Sequence, residues 1–272
     1  SPMSRGLGDV YKRQLQSLAP ACRRVALSAT VADRAGLAAW LSPTAGREDD
    51  VEIILGRGGV KPDIRIAVPD NRMPWSGHMA LYATDLIYQE IRKHRTTIVF
   101  VNTRAQAELI FQALWHVNDD NLPIALHHGS LAVEQRRKVE AAMAQGRLQA
   151  VVATSSLDLG IDWGDVDLVM QVGAPKGVSR LLQRIGRANH RMNEPSKAIL
   201  VPANRFELLE CRAAIAAIDR GKLDGTPLQP GGLDVLAQHV VGTACSQPFF
   251  PDELYNPVSY THLTLPTNGG VW

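Results

Sequence analysis

Short apolar runs, each followed by an amphipathic or charged stretch, constrain the fold more than any other feature of this chain. Thr97–Val101 (TIVFV), Pro123–Leu126, Ala150–Thr154 (AVVAT), Asp167–Val172 (DLVMQV) and Ala198–Val201 are brief, and most are rich in β-branched residues. Such continuous runs suit strands buried on both faces. Helical patterns lie between them. Ala105–Trp115 carries Ala107, Ile110, Phe111 and Leu114 at helical spacing. Ala132–Ala144 is a charged helix with Gly146 where a C-terminal stop is expected. Ser179–Ala188 is a helix interrupted by Gly186, and Phe206–Ile218 is a further helix. This β-α alternation predicts an α/β fold, a doubly wound parallel sheet with helices on both faces. Crossovers are then right-handed, and ligands sit at the carboxyl ends of the strands. Polar clusters follow those ends: Asn102–Arg104, His127–Ser130, Thr154–Ser156 and Gly173–Lys176.

The flanks differ from this centre. Arg24–Leu27 reads as a short strand running into Ser28-Ala29-Thr30, with a helix over Ala32–Trp40. Arg47–Pro69 holds two apolar alternations, Val51–Leu55 and Ile64–Val68, around a Gly-rich turn. Residues 15–69 are therefore expected to be the end of a preceding domain and a linker, and residues 70–220 the central domain. Gly221–Gly232 is rich in Gly and Pro and reads as a boundary. Leu233–Thr243 begins another helix within a region expected over 221–256. Residues 1–14 and 257–272 continue no neighbouring period and read as a non-native head and tail. The chain is thus expected to be an internal fragment of a longer protein.

Composition excludes several classes. The 272 residues suit about two domains, and 45% hydrophobic with 21% charged residues is a globular balance. No apolar run approaches the roughly 18–20 residues of a membrane span, so no membrane partner is expected. Cys22, Cys211 and Cys245 are far apart and form no CxxC pair. That excludes a disulfide framework and a zinc ribbon, and suits a reducing compartment. His94, His127, His128 and His190 lack metal-ligand spacing, so no metal is expected on this chain. With 29 basic against 27 acidic residues, any basic patch must come from local arrangement.

One such arrangement stands out. Arg180, Arg184, Arg187 and Arg191 fall at i, i+4, i+7 and i+11, on one face of the expected helix. Like charges there repel by a few tenths of a kcal/mol per pair, and Gly186 costs about 1 kcal/mol in a helix interior. An anionic ligand explains the arginines, and close backbone approach explains the glycine; the bland alternative is a solvated basic face. At the strand ends, Thr154 and Ser155 offer hydroxyls and N–H groups suited to phosphate oxygens, or to capping a helix. Gly160 permits close approach, and Asp162 can accept from a ribose hydroxyl. Thr103, Arg104, His128, Gly129 and Ser130 suit the same phosphate-gripping role, or ordinary loop and cap polarity. His127 alternates with Leu126 in a buried strand and reads as a core histidine.

Taken in order, Ser28-Ala29-Thr30, Phe100–Arg104, Ala153–Asp162 and Gln183–His190 resemble motifs III, IV, V and VI of superfamily 2 helicases. The resemblance covers about Leu15–Asp252. It is closest to the Lhr family of DEXH-box helicases, in its bacterial ligase-associated branch, through Gln183–His190 and Pro195–Leu209. It implies that the central domain is the second RecA-like motor domain, preceded by the tail of the first and followed by the start of a winged-helix domain. It implies an ATP-dependent 3′–5′ DNA helicase or translocase acting in DNA repair in the bacterial cytoplasm. Arg187 first and Arg184 second are expected as arginine fingers on the γ-phosphate of ATP, with Gln183 beside them and with Gly160 and Asp162 toward the nucleotide. Many superfamily 2 motifs end Gly-Arg where this chain has Asn189-His190, so a finger at position 190 is not expected. Thr103, Arg104, His128, Gly129, Thr154 and Ser155 are expected on the nucleic-acid track, and Ser28 and Thr30 in coupling. The sequence contains no GxxxxGK[ST] loop and no DEXH motif after an apolar strand. Mg²⁺ and the phosphate cradle are therefore expected in the missing N-terminal half. Single-stranded or partly duplex DNA is the expected partner, together with DNA-repair proteins. RNA or an RNA–DNA hybrid is the alternative substrate, and a non-catalytic nucleic-acid-binding α/β module is the alternative class.

Overall fold

The computed structural model describes residues 15, 19, 21–27, 31–41, 51–56, 60–69, 73–77, 79–158, 166–188, 194–224, 233–246 and 248–250. The chain divides into two compact units, Gly56–Asp224 and a second made of Ser1–Leu55 with Gly225–Trp272.

In the first unit the apolar runs pair in parallel. The strands are β1 (Asp63–Ile66), β2 (Thr97–Phe100), β3 (Ile124–His127), β4 (Ala150–Ala153), β5 (Leu168–Val172) and β6 (Lys197–Val201), in spatial order β1-β6-β5-β2-β4-β3. Because every pair is parallel, all carboxyl ends lie along one edge of the sheet. The helices are α2 (Thr84–Lys93), α3 (Arg104–His116), α4 (Val133–Ala144), α5 (Val178–Ile185) and α6 (Arg205–Asp219); α1 (Arg34–Leu41) and α7 (Leu233–Ser246) belong to the second unit.

Successive strand residues point to opposite faces, and each face is covered. Val99, Val152, Met170 and Ile199 pack with Ile87 and Ile91 of α2 and Ile110 and Leu114 of α3. On the other face Ile98, Phe100, Val151 and Val169 pack with Met143 of α4. Ala198 and Leu200 pack there with Leu181 and Ile185 of α5 and Cys211 of α6. Each such fully buried aliphatic or aromatic side chain contributes about 1.5–3 kcal/mol. This is the doubly wound α/β sheet that the apolar runs predict.

The structure moves one boundary. The sequence pattern assigns residues up to 69 to a preceding domain and linker, yet β1 lies at the edge of this sheet, paired with β6. The period-2 alternation explains both the reading and the result. Ile64 and Ile66 pack beside α5 and α6, while Arg65 turns outward and pairs with Glu90 of α2 at 2.6 Å. A half-covered edge strand lacks the continuous apolar run of its neighbours.

Local signals end the helices as expected. Gly146 has φ 64 after α4, and the N–H groups of Gly146 and Arg147 donate to the carbonyls of Met143 and Ala142. That is the six-to-one and five-to-two pattern of a glycine C-terminal stop. Thr103 caps α3 by accepting from the Gln106 N–H at 3.1 Å. Asn204 caps α6 through the N–H groups of Phe206 and Glu207.

In the second unit, α1 (Arg34–Leu41) is capped by Asp33, whose Oδ1 accepts from the Gly36 N–H at 2.9 Å. A further helix, α7, spans Leu233–Ser246. The strand expected over Arg24–Leu27 is absent: the segment has no ladder partner among the described residues, and Leu27 is 94% exposed. Ser28 and Thr30 lie outside the described residues, as do the expected head and tail.

Candidate functional site

Described parts of the three later motif segments, from Phe100–Arg104, Ala153–Asp158 and Gln183–Ala188, come together beside the carboxyl ends of β2 and β4. β5 lies beside β2, and β2 lies beside β4, with Phe100 in register with both Gln171 and Ala153. The chain leaves β4 into a single 3-10 turn, Ser155–Leu157, with the buried Asp158 at its end. Helix α5, packed on the sheet face through Leu181 and Ile185, presents Arg180 and Arg184 to that carboxylate.

Arg184 is 3% exposed and fully engaged. Its Nε donates to Asp158 Oδ1 at 2.8 Å and its Nη2 to Oδ2 at 3.4 Å. Its Nη1 donates to Gln171 Oε1 at 2.5 Å. The guanidinium also lies over the Phe100 ring, 4.6 Å from the centroid. Arg180 approaches Asp158 Oδ2 at 3.5 Å from an exposed position. Arg187 donates from Nη2 to the Asp158 carbonyl at 2.8 Å. Three arginines thus converge on one residue.

The expected long arginine face is therefore shorter. α5 ends at Ile185, Gly186 is its C-cap with φ −63, and Arg187 sits on the turn that follows. Gly186 ends the helix in an ordinary right-handed conformation and does not interrupt a helical interior. Arg184 corrects the finger expectation: a guanidinium enclosed by a carboxylate, an amide and an aromatic ring faces no phosphate. Arg187 is half-buried and lies at the rim, with Gln183, also half-buried, one turn back. Gly160, Asp162, Asn189, His190 and Arg191 lie outside the described residues.

The strand-end residues divide by exposure. Arg104, Gly129 and Ser155 are exposed on the ends of β2, β3 and β4. A Cβ built on Gly129 would stand 3.9 Å from Arg104 Nη2, so these two lie side by side. Thr103 is exposed, with its hydroxyl committed to the α3 cap. His128 and Thr154 are only 2% and 8% exposed, which corrects the expectation that their side chains grip a strand. His128 Nδ1 accepts from the Ser130 N–H at 3.2 Å, holding the imidazole inside the turn. Its Nε2 comes within 3.3 Å of Glu108 Oε1 but off the direction a hydrogen bond needs. The Thr154 N–H donates to the His127 carbonyl, and its side chain makes no cap bond.

His127 is the core histidine the alternation suggests. Its Nδ1 meets Ser156 Oγ at 2.8 Å and its Nε2 meets Glu140 at 3.1 Å. Burial pushes its pKa below the ordinary value, against the hydrogen bond and charge of Glu140. The imidazole is neutral near pH 7 and serves as a strut between β3, α4 and the turn after β4.

Sequence reasoning missed Asp158, Gln171 and Asp224. Asp158 stands inside a quoted motif without an obvious task. Gln171 is the polar residue in the buried run LVMQV, which is itself a signal. Asp224 left no local trace, because it acts 45 residues away. Its Oδ1 accepts from the Ser179 N–H at 2.6 Å, and its carbonyl accepts from Ser179 Oγ at 2.7 Å. It thereby caps α5, whose own N-cap, Gly177, has no side chain. A Cβ on Gly177, at φ 112, would collide with this carboxylate. Desolvation pushes the Asp224 carboxyl up, but the N–H groups and hydroxyl around it outweigh that and hold its pKa below the usual 3.8. A depressed carboxylate contributes stability above its unfolded pKa, and loses it as pH falls through the folded one. Asp224→Ala should cost about 1 kcal/mol at neutral pH, modest because the group faces solvent. Urea unfolding at a series of pH values should show that difference vanish only well below pH 3.8.

Set against known proteins, residues 81–193 match the helicase conserved C-terminal domain. A solved structure titled Mycobacterium smegmatis helicase Lhr bound to ssDNA and AMP-PNP superposes with a TM-score of 0.82 at 34% identity, covering 95% of this chain and 34% of that one. The DNA- and AMPPNP-bound helicase MrfA shares the fold, with a TM-score of 0.65 at 20% identity. The sheet and its arginine-bearing edge are thus a RecA-like helicase motor domain of the second, C-terminal kind. The ATP-dependent helicase Lhr-Core of Sulfolobus acidocaldarius is 38% identical over 85% of this chain and 27% of its own length. The Lhr helicase/uracil glycosylase of Escherichia coli is 33% identical over 87% of this chain and 18% of its own length. The chain is homologous to the Lhr family of superfamily 2 helicases, and spans about a quarter or less of these two curated relatives.

Proposed function

We propose that the parent protein is an ATP-dependent DNA helicase or translocase of the Lhr type. This chain would supply the arginine side of its ATP site and part of its nucleic-acid track. One observation carries the reading: exposed Arg104, Gly129 and Ser155 share a sheet edge with Arg187, which is bonded to the same turn that follows β4. ATP, its Mg²⁺ held by the first RecA-like domain, would bind in the cleft between the two motor domains. Arg187 would meet the γ-phosphate there, where a positioned guanidinium stabilises transition-state charge. The exposed strand ends would follow the phosphate backbone as the cleft closes and reopens. Residues 15–55 would be the end of that first domain, and α7 the start of a winged-helix region. Translocation 3′–5′, a role in DNA repair and a bacterial cytoplasmic setting belong to the same proposal.

The test has two arms. Anisotropy of this chain with labelled oligo-dT should show weak binding that falls steeply with salt, and ATP turnover by the chain should stay at background. Salt-independent binding, or robust nucleic-acid-stimulated turnover by the isolated chain, would overturn this division of labour. Strand displacement by the full-length parent on DNA duplex and RNA–DNA hybrid then identifies the substrate, since phosphate contacts alone do not distinguish them.

A further inference from the structure

We infer that Gln171 is a positioning residue that ties the arginine helix to the nucleic-acid edge, so that a shift at Arg184 is passed to Asn102–Arg104. This rests on the function proposed above. Gln171 is 1% exposed in the middle of a strand whose other residues are apolar. An unsatisfied amide there would be costly, and this one is satisfied in a single orientation. Its Oε1 accepts from Arg184 Nη1 at 2.5 Å. Its Nε2 lies 3.2 Å from the Val172 carbonyl, 3.3 Å from that of Gly173 and 3.4 Å from Asn102 Oδ1, all acceptors. Arginine only donates, and these oxygens only accept. Neither a flipped amide nor a glutamate serves both ends.

The connection continues past Gln171. Asn102 Nδ2 donates to the Ala174 carbonyl at 2.8 Å, and the Asn102 N–H donates to Gln106 Oε1 at 2.9 Å. The Ala174 N–H donates to Glu207 Oε2 at 2.9 Å, which also accepts from the Ala203 N–H. Gly173, at φ 86, leaves room for this: a Cβ there would stand 2.9 Å from Asn102 Nδ2. A continuous set of hydrogen bonds thus runs from Asp158 through Arg184, Gln171 and Asn102 to the base of α6. Stability alone does not call for it, since a well-packed apolar side chain in such a position is often neutral or better. What the network adds is dependence of the β2 loop, which carries exposed Arg104, on the placement of α5.

The measurement is the ratio of ssDNA affinities of the full-length parent with and without AMP-PNP. Coupling between two sites is reciprocal and commonly amounts to about 5–150-fold. Wild type should show a ratio in that range, whereas Gln171→Glu and Gln171→Met should bring it toward one. Thermal melting of each variant separates coupling from folding. A variant that melts within a few degrees of wild type and keeps the wild-type ratio overturns the proposal. On the wild-type protein, AMP-PNP alone should change amide exchange at Asn102–Arg104, and unchanged exchange there overturns the proposal without any variant. A wild-type protein that binds no AMP-PNP would instead sink the function proposed above.

Discussion

Replacing Asp158 with alanine should destabilise the Gly56–Asp224 unit by about 3–5 kcal/mol, the cost of breaking one side of a buried ion pair. Asp158 and Arg184 are 5% and 3% exposed, so neither charge is compensated by water. Without the carboxylate, Arg184 keeps Gln171 Oε1 and the face of Phe100, which do not neutralise a buried guanidinium. Arg180 makes matters worse, since its charge approaches the same place. Against a typical stability of about 5–15 kcal/mol, a loss of this size leaves the unit marginal. The double variant Asp158→Leu with Arg184→Met should recover much of the loss, because removing both charges lets the site pack. Urea unfolding of the two single variants and the double gives the coupling energy directly. A loss below about 1 kcal/mol for Asp158→Ala would mean that the cage carries no net charge burden in solution.

How far the sequence disclosed this arrangement follows from how local each signal is. The four inner strands are legible because burial on both faces leaves their runs almost wholly apolar, as in Ala150–Ala153 and, apart from Gln171, Leu168–Val172. β1 is misread because an edge strand alternates, and its identity depends on Lys197–Val201, more than 130 residues away. The arginine cluster is visible as a pattern, but the pattern does not tell a side chain aimed outward from one aimed inward. Arg187 and Arg184 stand as first and second candidates for the same role until Asp158, Gln171 and Phe100 are placed around Arg184. His128 and Thr154 look accessible for the same reason. Residues just past a strand end include both those that emerge from the sheet and those that close over it. Cross-chain partnerships such as Asp224 with Ser179 have no sequence period at all.

That distinction makes the two arginines separable by experiment. In the full-length parent, Arg187→Ala should lower kcat for ATP hydrolysis by about 10³–10⁵, the span attributed to an arginine finger. The bond to the Asp158 carbonyl is worth about 1 kcal/mol, which for a unit of this size shifts Tm by about 2–4 °C. Arg187→Lys should not restore turnover, because a flexible ammonium does not reproduce the rigid fork of a guanidinium. Arg184→Ala should also abolish turnover, but by a different route: it leaves the buried Asp158 with only the longer 3.5 Å contact to exposed Arg180, so melting falls with activity. Steady-state kinetics and melting curves on the same preparations separate the cases. An Arg187→Ala enzyme that folds normally and turns over within tenfold of wild type would remove Arg187 from the chemistry.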